Sequence, residues 1–299
     1  MKLRGIFPPL TTPFSNDGEI DLPGLRANIQ RHNQTRLSGY VMNGSTSESV
    51  LLSWDEIERL WAAARESAAP DKEMIAGTGA ESTAETIQHT KRAAKLGYDA
   101  ALVRTPSYYK PFMTFEAEAT HFLRVAEASP IPILIYSVPV FTGYTVEAPL
   151  VARLSSHANI VGIKDSSGNV QRMKDIIAST PKNFRSMTGS ALTLHDALQA
   201  GACGAILAIS CVIPDACVDL YEAAEQNDAA RVEQLKKHAV LPAANLATKF
   251  GIPGLKYAMD RLGYRGGPPR APLLPLGESA RREIDTILAS VKPATAGAH

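Results

Sequence analysis

Eight apolar, β-rich runs alternating with helix-period segments predict an α/β fold of the (β/α)8 TIM-barrel class, with a C-terminal helical extension. Three observations carry this. The runs are near-continuously apolar, as in strands covered on both faces of a parallel sheet. Their connections are mostly short. No GxGxxG or Walker A loop follows the first run, so an open, nucleotide-binding doubly wound sheet lacks its signature.

In chain order the runs are GIFPPLTTPF from Gly5, SGYVMNGS from Ser38, EMIAGTG from Glu73 and AALVRTP from Ala100. PILIYSVP from Pro132, NIVGIKD from Asn159, FRSMTGSA from Phe184 and GAILAISC from Gly204 follow. Between them, apolar residues recur at helical spacing, as at Ile57, Leu60, Trp61 and Ala64. Ser53 with Glu56 and Ser82 with Glu85 have the capping-box spacing, and Gly97 stands where a helix C′ glycine would. After about Ala224 the pattern becomes purely helical: DAARVEQLKKHAVLPAANLATKF, GLKYAMDRLG and GESARREIDTILASV, joined by YRGGPPRAPLLPLG. The expected division is a barrel over residues 1–225 and the helical extension over 226–299.

A formal net charge of +1 offers no field for nucleic acid or acidic membranes, and no basic–aromatic stripe is present. No apolar run approaches the roughly 20 residues of a membrane helix. Pro8 and Pro9 interrupt the N-terminal apolar stretch, which does not read as a signal peptide. Cys203, Cys211 and Cys217 are odd in number and lack zinc spacing, so reduced core thiols in a cytoplasmic protein are expected. The closing KPATAGAH reads as a frayed tail.

In such barrels the chemistry lies at the C-terminal ends of the strands. There the chain places Gly44, Ser45, Thr46 and Glu48, then TPSYYKP, Tyr136–Ser137, Lys164 to Ser167, TGSA, and Ile209–Ser210. His32, His89, His121, His195 and His238 fall in helical segments, His157 on a loop entering a strand, and His299 at the terminus. None ends a strand, so a metal centre and a Ser–His–Asp hydrolase are not expected. A lysine among tyrosines and hydroxyls suits amine catalysis: a neutral ε-amine attacks a ketone, and the protonated imine draws electrons from the adjacent carbon. An apolar strand favours the neutral amine. Other readings stand beside this one. Lys164 could serve a structural ion pair with Asp165 or another acid, Ser45 and Thr46 a hydrogen-bonded turn, Tyr136 the core, and Tyr108 and Tyr109 a cover over the barrel mouth.

These residues resemble the dihydrodipicolinate synthase/N-acetylneuraminate lyase family of pyruvate-handling class I aldolases, over almost the whole chain. GSTSES resembles the family's GTTGE, YSVP its Y-N-V-P, and GIKDSSGN its G-[IM]-K-[DE]-x-x-G. The resemblance implies a metal-free, cofactor-free enzyme assembled as a dimer of dimers, a homotetramer. By motif, Lys164 is the Schiff-base lysine and Tyr136 the proton-transfer tyrosine. Ser45 and Thr46 hold the pyruvate carboxylate, and Thr46 links Tyr136 towards Tyr108, the tyrosine that reaches a neighbouring subunit's site. Ile206 offers its backbone to the pyruvyl group.

Departures bear on the second substrate. Ser47 replaces the glycine of GTTGE, a residue that can permit positive φ or close approach. Phe141 stands where the synthases carry an arginine for the aldehyde's carboxylate, and it cannot make that charge-assisted bond. Trp54 and Ser107 replace residues of the lysine-inhibited enzymes' effector site, so lysine feedback is not expected. NIVGIKDSSGN, AGTGAEST and KFGIPGLKYAMDRLGYRGGPPRAPL look closest to 4-hydroxy-2-oxoglutarate aldolase and 2-keto-3-deoxy-sugar-acid aldolases. Ser166, Gly189 and Ser190 fit that branch, as contacts for the hydroxylated or carboxylated end of the substrate. The expected activity is therefore retro-aldol cleavage of a 4-hydroxy-2-oxo acid to pyruvate and an aldehyde such as glyoxylate. Dihydrodipicolinate synthase is the runner-up, a 2-keto-3-deoxy-sugar-acid or sialic-acid aldolase the further lyase option, and a 2-oxo-acid-binding sensor barrel the non-enzyme alternative.

Overall fold

The computed structural model describes residues 2–291; the KPATAGAH tail lies outside the described residues. Each of the eight apolar runs contains a strand: β1 Gly5–Phe7, β2 Gly39–Met42, β3 Glu73–Gly77 and β4 Ala100–Arg104, then β5 Ile133–Ser137, β6 Ile160–Asp165, β7 Arg185–Thr188 and β8 Gly204–Ile206. They belong to one sheet in the order β1-β8-β7-β6-β5-β4-β3-β2. Helices alternate with them and continue after β8, so the fold class is a (β/α)8 barrel with C-terminal helices. No helix among the described residues is long and apolar enough to cross a membrane.

The described chain divides into two compact units, one of residues 2–4 with Glu73–Ile206, the other of Gly5–Lys72 with residues 207–291. In the first, β3 to β8 pair in parallel, each with the next. Their outer faces and the surrounding helices share a core that includes Val103, Phe122, Ile135, Leu150, Ile163 and Ile176. Gly162 lets β6 run close to its neighbours: a Cβ there would stand 2.3 Å from the Arg185 carbonyl oxygen and 2.7 Å from Leu134 Cδ2. Helix Thr83–Lys95 starts with the Ser82 side chain accepting from Glu85 N. It stops at Gly97, whose φ of 79° no β-branched residue would tolerate.

Helix Phe115–Ala128 turns two titratable groups inward. Burial and the nearby Glu147 charge push the Glu118 carboxyl up to about 7. Burial and the Arg104 charge push His121 down to about 4, and its Nδ1 meets Thr83 Oγ1 at 3.0 Å. An unfolded glutamate titrates near 4.3. Between that value and about 7 the unfolded chain gives up its proton while the folded chain keeps it, so stability falls as pH rises through this window. Glu118→Gln is therefore expected to exceed the parent in unfolding free energy at pH 8, by about 1 kcal/mol after allowance for solvent screening, and to match it at pH 4, as urea titrations at the two pH values would read.

In the second unit, Pro8 O and Ile6 O accept from Val41 N and Ser38 N, pairing β1 with β2. Helix Trp54–Ser67 opens with a complete capping box between Ser53 and Glu56. The stretch from Ala229 to Thr248 is helical with one irregularity, a π turn at Lys236–Val240. Pro242 accounts for it: a proline ring has no N–H and collides with the carbonyl four residues back, so the hydrogen-bond ladder must change register there. His32 is a core residue stacked on Tyr264 at 4.8 Å. The three cysteines are free thiols, and burial pushes Cys211 up to about 12.

Candidate active site

Lys164 is the penultimate residue of β6, in register with Tyr136 on β5 and Met187 on β7. Residues in register across parallel strands project to one face, and the next residue projects to the other. Lys164 and Tyr136 therefore share a face, with Lys164 Nζ 4.2 Å from the centroid of the Tyr136 ring. Only 4% of Lys164 and 5% of Tyr136 is exposed.

Asp165 faces the opposite side and is already engaged. Ser167 Oγ donates to its Oδ2 at 2.6 Å, and Arg172 Nε stands 3.5 Å from the same oxygen. Among the described residues no carboxylate forms an ion pair with Lys164, so the structural pairing with Asp165 does not occur. What remains is an amine over an aromatic face, buried and without an acid partner. That is the arrangement a nucleophilic amine needs and a costly one for a permanently charged side chain.

The turn after β7 packs against this lysine. Gly189 N donates to Asp165 O at 2.7 Å, and Ser190 N to Thr188 Oγ1 at 3.1 Å. A Cβ on Gly189 would lie 1.9 Å from Ser166 Oγ and 3.1 Å from Lys164 Cε. Lys164, Tyr136, Ser166, Gly189 and Ser190 are thus assembled by the ends of three neighbouring strands. Gly189→Ala must displace Ser166 and crowd the lysine stem. Turnover is expected to fall by about tenfold or more at a temperature where calorimetry shows the variant still folded, as steady-state kinetics would read.

The other expected residues have distinct settings. Ile206 ends β8 and is buried. Tyr108, 79% exposed, lies after β4 with its ring edge-on to Tyr109. The Glu81 carboxylate fixes that loop by accepting from Tyr108 N at 3.0 Å and Ser107 N at 2.8 Å. These bonds and Arg104 hold Glu81 down at about 2 despite partial burial, which acts to raise it. Phe141, 64% exposed, lines an open depression of about 690 Å³ with Tyr108, Tyr109, Lys110, Ser107 and Glu81.

Ser45 and Thr46, in the second unit, form a 3-10 turn over Ser45–Ser47 and are half-buried. Ser47, the departure from glycine, needs no left-handed backbone: positive φ falls on Asn43 and Glu48 instead. Its hydroxyl donates to Leu10 O at 2.5 Å, a bond that glycine could not make. Among the described residues no three of His, Cys, Asp or Glu converge as a metal-holding group.

Sequence reasoning passed over Glu81, Arg270 and Lys256. Lys256 has a readable signal, a lysine on the apolar stripe of GLKYAM, the same anomaly that marks Lys164.

A profile of the dihydrodipicolinate synthetase family matches residues 2–291. The chain is 36% identical to a 4-hydroxy-tetrahydrodipicolinate synthase of Methanothrix thermoacetophila, over 98% of each sequence. A chloride-inhibited dihydrodipicolinate synthase from Acinetobacter baumannii, solved with pyruvate, superposes with a TM-score of 0.92 at 30% identity, covering 97% of this chain and 99% of that one. A dihydrodipicolinate synthase of Bacillus anthracis gives 0.91 at 28% identity, covering 98% and 99%. Eight parallel strands, a buried lysine over a tyrosine, and likeness along nearly the full length converge on one conclusion: the chain belongs to the dihydrodipicolinate synthetase family, pyruvate-dependent class I lyases.

Proposed function

We propose that Lys164 condenses with the C2 carbonyl of pyruvate, and that the resulting enamine forms or breaks a carbon–carbon bond with an aldehyde. The carrying observation is the acid-free, buried amine 4.2 Å from the Tyr136 ring centroid. The neutral amine adds to C2, water leaves, and the iminium carbon acidifies the pyruvyl methyl group. Loss of one C3 proton gives the enamine, whose C3 attacks the aldehyde carbon. Hydrolysis of the product imine returns the free lysine. In the retro-aldol direction the same steps run backwards.

In this reading Tyr136 moves the protons, Ser45 and Thr46 take the pyruvate carboxylate, and the Ile206 backbone meets the pyruvyl group. Thr46 links Tyr136 towards a second tyrosine, the role of Tyr108 reaching in from a neighbouring subunit. The exposed, edge-on rings of Tyr108 and Tyr109 make an aromatic surface suited to cover by a second copy, in keeping with a dimer of dimers. Residues 1–225 act as the catalytic barrel and 226–299 as its helical extension, in a cytoplasmic enzyme without metal or organic cofactor.

For the second substrate, the relatives' names support condensation with aspartate semialdehyde to 4-hydroxy-tetrahydrodipicolinate as the first reaction. This reverses the order that the sequence motifs favoured. Phe141 is the observation on the other side: an apolar ring lines the depression where the synthases' arginine is expected. It favours cleavage of a 4-hydroxy-2-oxo acid, with Ser166, Gly189 and Ser190 at its far end.

Borohydride reduction in the presence of pyruvate, with the adduct mapped by mass spectrometry, tests the shared chemistry. A folded protein without an adduct on Lys164 would refute it. A panel setting aspartate semialdehyde condensation beside 4-hydroxy-2-oxoglutarate cleavage then orders the two reactions, and faster cleavage restores the aldolase reading.

A further inference from the structure

We propose that Lys256 and Glu48 are a buried clamp that positions the Ser45–Ser47 turn, so that recognition of the pyruvate carboxylate depends on this ion pair. The inference rests on the reading above that Ser45 and Thr46 take that carboxylate.

Lys256 lies in helix Gly251–Arg261, and its side chain is wholly buried. All three of its donors are used: Nζ reaches Thr12 O at 2.9 Å, Pro268 O at 2.6 Å and Glu48 Oε1 at 2.8 Å. The second Glu48 oxygen accepts from Arg270 N at 2.8 Å. Both carboxylate oxygens are therefore held by residues of the C-terminal segment.

The hold extends through the turn itself. Glu48 is a non-glycine residue at φ 58°, ψ 35°, a left-handed conformation that persists only where the surroundings impose it. Its backbone N–H closes the turn on Ser45 O at 3.1 Å. Thr12, which accepts from Lys256 through its carbonyl, donates through Oγ1 to Ser47 O at 2.8 Å. Arg270 secures the far end of the same loop, gripping both Glu56 oxygens at 2.6 and 2.7 Å and Leu51 O at 2.9 Å.

A buried ion pair is weak evidence for stability, since well-packed apolar residues of equal volume often serve as well. What apolar residues cannot do is fix a carboxylate, and through it a strained backbone, to one orientation. Two residues upstream of Glu48 stands Thr46, whose hydroxyl and amide are useful only when aimed. Lys256 and Glu48 act through that turn and touch no reacting atom, so they are positioning residues.

The test compares pyruvate with acetone, a ketone that needs the same amine but has no carboxylate. Adducts at Lys164 are trapped with borohydride across a concentration series and quantified by mass spectrometry. For Lys256→Met, the pyruvate concentration giving half-maximal trapping is expected to rise about tenfold or more, the scale of a misaimed polar contact, while that for acetone stays within about twofold. Glu48→Gln, which keeps the volume and removes the charge, is expected to show the same selectivity at about threefold and decides the matter if Lys256→Met fails to fold. Equal shifts for both ketones, or none for either, would overturn the clamp. A parent protein that forms an acetone adduct but no pyruvate adduct would overturn instead the reading on which the clamp is built.

Discussion

Replacing Lys164 by methionine is expected to abolish the pyruvate adduct and lower turnover by about 10⁴-fold or more, the scale on which a covalent nucleophile is lost. Methionine matches the lysine stem in length and tolerates an apolar strand. The structure predicts a second, opposite effect on stability. Lys164 is 4% exposed and has no carboxylate partner among the described residues, because Asp165 serves Ser167 and Arg172. Removing a buried, unpaired amine should leave the melting temperature unchanged or raise it. A structural lysine would behave in reverse, losing stability on substitution while activity followed the folded fraction. Calorimetry and borohydride trapping on one preparation separate the two.

Tyr136→Phe is the companion prediction, with turnover expected to fall about 10²-fold or more, the worth of a positioned proton donor and acceptor. The substitution is clean because it keeps the ring. Tyr136 is almost wholly buried, and Lys164 Nζ packs 4.2 Å from its ring centroid, a contact phenylalanine preserves. Adduct formation with pyruvate should therefore survive more fully than turnover. A variant with near-normal turnover would remove Tyr136 from proton transfer, whereas one that loses adduct and turnover together would make it a packing residue for the lysine.

Much of this architecture is legible in the amino-acid sequence. Strand periodicity, turn residues and helix caps are local, so the eight runs, the Ser53–Glu56 box and the Gly97 stop could be read directly and reappear in the fold. The candidate catalytic lysine was legible for a related reason. A cation on an apolar strand is anomalous in sequence, and the register that sets Tyr136 beside it follows from parallel pairing of consecutive strands. Ser47 shows the limit of motif reasoning. Its loss of glycine looked like a threat to the loop, yet the left-handed position is the next residue, Glu48.

The alternating barrel pattern, the family, and the lysine and tyrosine at the ends of their strands are written in local sequence. What those residues touch is set by packing between distant segments. Asp165 follows Lys164 in the chain but turns to Arg172, because adjacent strand residues project to opposite faces. Gly189, 25 residues from Lys164 in the numbering, closes on its stem through the pairing of β6 with β7. Lys256 and Glu48, more than two hundred positions apart, meet with both side chains fully buried. Such pairings depend on which surfaces packing brings together, and no local pattern of hydrophobicity or turn chemistry encodes them.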